Sequence, residues 1–83
     1  MSKLLRSLEE QLKVESNEYV RGELQAKKAA YLARTGAFDG ARTEIAALRT
    51  VFGDGRSGRV TVLMMVAEGL LLHFESLSAG ALD

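Results

Sequence analysis

The chain has 83 residues, no cysteine, no proline, and eleven basic against eleven acidic side chains. That length holds one domain, close to the size at which a single core is only just sufficient. Without cysteine there are no disulfides and no thiolate metal sites, which fits a reducing, cytoplasmic location. A formal net charge of zero supplies no global field to gather nucleic acid or a membrane surface.

Ala, Leu, Glu, Arg and Lys dominate and β-branched residues are sparse, so the expected fold class is all-α, with about four helices. Lys3 and Arg6 are followed at once by Glu9 and Glu10, without an apolar signal core, and no targeting segment is expected. Residues 2–15 place Leu4, Leu5, Leu8 and Leu12 on one face of an amphipathic helix. Ser16 or Asn17 is suited to cap a second helix there, although one continuous helix to residue 34 is also compatible with the pattern.

The second helix is predicted over 17–34. Its large side chains are Tyr19 or Val20, Leu24, the stem of Lys28, Tyr31 and Leu32, and its small ones are Ala26, Ala29, Ala30 and Ala33. An alanine-rich face lets a neighbouring helix approach closely. Gly36 is suited to the left-handed position that ends it. The third helix is predicted over 38–52, with Phe38, Ala41, Ile45, Leu48 and Phe52 in one stripe and Arg42, Glu44 and Arg49 away from it. Residues 53–58, GDGRSG, are the obvious loop, and Ser57 is placed to cap the fourth helix.

Residues 60–74, VTVLMMVAEGLLLHF, are the most apolar stretch. At 100° per residue, Val60, Leu63, Met64, Ala67, Leu70, Leu71 and Phe74 share one face, with Val66 and Leu77 at its edge. Thr61, Glu68 and Glu75 are expected to form a narrow exposed strip, and the helix is expected to end near Leu77. Val62, Met65 and Leu72 fall outside the main face, which is wider than a surface helix normally carries. A second surface must cover them. Length argues against a membrane span, because the run is about 15 residues where a span needs roughly 20.

The Gly-Ala-(Phe/Leu)-Asp core of residues 36–39 recurs at 80–83. Repeats of this size mean stacked helical hairpins, and the second copy stops where its second helix should begin. Gly36-Ala37-Phe38-Asp39-Gly40-Ala41 resembles the turn of the tetratricopeptide repeat, Gly-x-(Tyr/Phe)-x-x-Ala. The likeness covers residues 25–52, with Ala29, Leu32, Phe38, Ala41, Ile45 and Leu48 in the family's small and large positions. It departs at Gln25, where an aromatic is usual, at Lys28, where Leu is usual, and in having no Pro after the second helix. A spacing of 44 also exceeds the usual 34, as in the longer tetratricopeptide-like repeats of bacterial regulators. The resemblance implies a scaffold or adaptor that binds a protein or peptide on a concave surface, here Glu23, Ala26, Ala30, Ala33 and Arg34. It also makes residues 1–83 a single helical domain at the N-terminal end of a longer helical-repeat protein.

Little catalytic chemistry is legible. His73 is the one histidine, between Leu72 and Phe74, with no partner for a metal site or a Ser-His-acid arrangement. Glu9-Glu10 and the Glu15, Glu18 pair read as solvated faces. The loop before the last helix lacks the Gly-Lys-(Ser/Thr) ending of a phosphate-binding loop, with Arg56 and Arg59 nearby as the candidate anion contacts. Between Arg21 and Arg59 eight Lys or Arg stand against four acids, but they spread over three helices rather than along one stripe. The expected object is a non-enzymatic interaction module with no cofactor and no membrane. Its self-association seam, forming a homodimer, would be Val62, Met65, Gly69 and Leu72. The rival readings are an oligomerisation domain of a larger regulator and a nucleic-acid-binding regulatory domain.

Overall fold

The computed structural model describes the backbone of residues 3–81 and the side chains of residues 3–79. Within them the chain is all-α, four helices without a strand: α1 (Lys3–Val14), α2 (Glu18–Arg34), α3 (Phe38–Phe52) and α4 (Gly58–Ala81).

Local chemistry sets these boundaries. The chain does break between α1 and α2, and Asn17 makes the break: its side chain accepts from the amides of Tyr19 and Val20 at 2.9 and 3.2 Å, satisfying two N–H groups that a helix start leaves unpaired. Arg21 reaches back from α2 and donates to the carbonyls of Leu12 and Glu15, which covers the carbonyl end of α1. At the end of α2, Gly36 takes φ +88°. The Ala37 amide bonds the Leu32 carbonyl at 2.9 Å, and the Gly36 amide bonds that of Ala33 at 3.4 Å. This is the Schellman closure, which needs a left-handed residue. Ser57 opens α4 by accepting from the Val60 amide at 3.2 Å.

α3 spans the predicted residues. α4 does not stop near Leu77 but continues through Gly80 to Ala81, because neither a proline nor a left-handed residue interrupts it. Gly36 therefore ends a helix while Gly80, its counterpart in the sequence repeat, lies inside one. Leu82 and Asp83 of that second copy lie outside the described residues.

α2 is the hub. It packs against α1, α3 and α4, whereas α1 touches α2 alone among the described helices. Lys28 pairs with Glu44 at 3.3 Å and Leu32 lies against Gly40, so α2 and α3 run antiparallel. Gly22 faces Val60 and Glu23 pairs with Arg59 at 2.9 Å, while Ala33 and Phe74 line one groove further along, so α4 runs parallel to α2. The core between them is Ala26, Ala29 and Ala33 from α2, Ala41, Ile45, Leu48 and Phe52 from α3, and Val60, Met64, Ala67 and Leu71 from α4. Ala29 and Ala33 are wholly buried, and their size lets the other helices close in. The Cα atoms fill a slab of 45 × 31 × 16 Å. A helix is about 10–12 Å across with its side chains, so a slab this thin cannot enclose any helix on all sides.

Candidate interaction surface on the fourth helix

Three sides of α4 have different surroundings. Val60, Met64, Ala67 and Leu71 point into the core and are buried, and Leu63, Leu70 and Phe74 are half-buried beside them. The side toward α3 holds Glu68 and Glu75, the only charged residues of α4 between 60 and 79. Glu68 pairs with Arg49 and Glu75 with Arg42. Both acids, and Thr61, are half-buried. The exposed polar strip expected of these three residues is therefore not exposed: the arginines that fall away from the apolar stripe of α3 draw the acids in against them.

The side that faces water is apolar instead. Val62, Met65 and Leu72 are 59%, 64% and 69% exposed, with Val66 and Leu77 also open and Gly69 at the centre of the stripe. His73 and Ser76 are its only polar members, and no charge lies on it. A helix that is apolar on two opposite sides is ordinarily covered on both. Here the chain's own described helices cover only one side and a flank.

The expected partner-binding set on α2 is corrected in part. Ala26 and Ala33 are 1% and 0% exposed, Ala30 is half-buried against the same core, and Glu23 is half-buried and paired with Arg59. The small side chains that suggested an open groove are occupied by this chain's own α3 and α4. Of the five residues only Arg34 is exposed.

The basic middle of the chain is largely neutralised. Lys28 pairs with Glu44, Arg42 with Asp39 as well as Glu75, Arg49 with Glu68, Arg56 with Glu18 at 2.6 Å and Arg59 with Glu23. Three of those acids, Glu18, Glu68 and Glu75, come from outside the basic segment. Arg56 also lies over the Phe52 ring, 5.0 Å from its centroid. Of the eight basic residues, Lys27 and Arg34 of α2 are exposed and make no ion pair among the described residues. Among the described residues no three His, Cys, Asp or Glu side chains converge to hold a metal ion. His73 is exposed and sits edge-on to Phe74 at 5.2 Å.

Residues 58–79 are long and apolar enough to cross a membrane, with a mean hydropathy of 1.5. This corrects the expectation that the run is too short. In the folded bundle, however, α4 would carry Arg42 and Arg49 of α3 into the bilayer with its two acids, and charges at that depth cost about 2.5–3.5 kcal/mol each on insertion scales.

Two features escaped the sequence reading. The Arg42/Arg49 and Glu68/Glu75 pairs are both seven residues apart, a spacing visible in the sequence that matches one ladder between two antiparallel helices. Gly22 gave no such signal; its role depends on Phe52 and Val60, which approach it only in the fold.

No protein-family model, curated protein or solved structure matches this chain.

Proposed function

We propose that this chain is a non-enzymatic helical interaction module that self-associates through the outward face of α4. One observation carries the reading. α4 turns its only two acids toward α3 and leaves Met65 and Leu72 64% and 69% exposed. Covering a side chain of this size fully is worth about 1.5–3 kcal/mol, so a stripe of them favours association. A second copy is the occupant that matches the face in charge as well as polarity, because each copy brings a neutral stripe to the other. A scaffold, an adaptor and the assembly piece of a larger regulator would all use this face in the same way.

The tetratricopeptide-like reading belongs to the same proposal. α2 and α3 then form one hairpin, closed at Gly36, and α4 stands where the first helix of a following hairpin would stand. The antiparallel α2–α3 pair and the parallel α4 beside α2 are what support it.

The test is sedimentation equilibrium at tens of micromolar, with and without Met65→Glu. Wild type is expected to be dimeric and the variant monomeric with unchanged helical circular dichroism. A monomeric wild type overturns the reading. A wild type that is monomeric and co-sediments with neutral phosphatidylcholine vesicles replaces the second copy with a lipid surface.

A further inference from the structure

Resting on that reading of α4 as a self-association surface, we infer that two copies pair their α4 helices antiparallel, with Met65 of each seated on the partner's Gly69 and Leu72 of each against the partner's Val62.

Two glycines, Gly22 and Gly69, lie beyond the first and last turns of their helices, where glycine is costly. It weakens a helix interior, so each needs a reason. At Gly22 the reason is internal: a Cβ there would lie 2.7 Å from the Phe52 ring and 3.0 Å from Val60. At Gly69 nothing among the described residues, its chain neighbours and its own helix backbone aside, lies within 4 Å of where a Cβ would be. Its missing side chain makes room for nothing among the described residues, and it lies in the middle of the face left uncovered.

Residues 62, 65, 69 and 72 alternate spacings of three and four, the pattern of a two-helix seam. Their sizes are unequal: Val, Met, Gly, Leu. In a parallel, in-register pair each residue meets its own copy, and Gly69 opposite the partner's Gly69 leaves a gap between a Met65 pair and a Leu72 pair. Packing favours large against small across a layer, without voids. Reversing one helix achieves this. Met65 then fills the hole at the partner's Gly69, Val62 meets the partner's Leu72, and the two-fold axis repeats both layers, as an isologous interface requires.

The flanks are compatible. On one side of the seam Val66 meets the partner's Val66 near the axis, extending the apolar contact. On the other, the Arg49–Glu68 pairs of the two copies approach each other. Each acid already holds its own arginine, and the Arg49 side chain is 61% exposed, with donors left to bridge to the partner's Glu68.

Gly69→Leu tests the packing directly. The open space around Gly69 predicts a monomer at least as heat-stable as wild type, and the antiparallel seam predicts a dimer weakened tenfold or more, because Leu fills the seat of Met65. A dimer tightened by Gly69→Leu overturns the orientation, since filling a Gly–Gly gap is what a parallel pair would gain. The cysteine-free chain allows a second measurement. Mixing Val62→Cys with Leu72→Cys under mild oxidation is expected to give the mixed disulfide in several-fold excess over either homotypic one. Homotypic disulfides in excess overturn the orientation while leaving self-association intact, whereas a wild type that stays monomeric removes both.

Discussion

Gly22 shows how one missing side chain fixes a helix crossing. Phe52 packs across α2 at this point, with its ring 5.9 Å from Tyr19 and the Arg56 guanidinium over its face, so the ring has little freedom to withdraw. Gly22→Val inserts three carbons where even a Cβ is too close, and overpacking of this kind costs about 1–3 kcal/mol. Urea unfolding should show a loss at the upper end of that range, against any gain in helix propensity. Leu48 is among the largest wholly buried side chains, and Leu48→Ala should cost about 2–5 kcal/mol in the same experiment. The two positions differ in legibility. Leu48 belongs to a stripe at helical spacing and is a core residue on its face. Gly22 sits between Arg21 and Glu23 with no pattern around it, and its requirement comes from an aromatic ring on a different helix.

At the scale of elements, capping was readable and pairing was not. Ser57 was legible as a cap, and Asn17 as one of two candidates with Ser16, because their chemistry is local, and both Asn17 and Ser57 act so in the fold. Asn17→Ala should cost about 1 kcal/mol, seen as a lower thermal midpoint, since α2 loses the acceptor for two amides. The stripe of α3 is equally local, and its predicted span agrees with the helix found. The sides of α4 are another matter. Its periodicity identified the buried face, but which remaining side meets water depends on where α3 presents Arg42 and Arg49. Reading Glu68 and Glu75 as solvent-facing rests on polarity alone, and the cross-helix pairs draw both half out of solvent. These pairs do more for orientation than for stability. A double-mutant cycle on Arg49→Ala and Glu68→Ala should give a coupling of only about 0.2–1 kcal/mol, because the arginine is largely exposed.

For the whole molecule, thinness is the governing fact. A slab 16 Å deep between Cα atoms cannot shelter both apolar sides of α4, however well its core is packed. If a second copy provides the cover, association and folding are linked, and dilution must lower the melting temperature. Wild type should melt several degrees lower after a hundredfold dilution, while Met65→Glu should melt at one temperature throughout. The surplus of apolar surface on α4 was visible in its composition. The alanine-rich face of α2 misled for the same reason of scale: small residues show that something packs closely, and only the fold shows that it is the chain's own α3 and α4.

The attachment of α1 to α2 alone has a kinetic corollary. With no second neighbour among the described helices, and with Leu4 and Val14 largely in water, it can peel away without opening the three-helix core. Its amide protons should then trade with deuterium orders of magnitude sooner than those around Ala29, whose release requires the whole bundle to come apart.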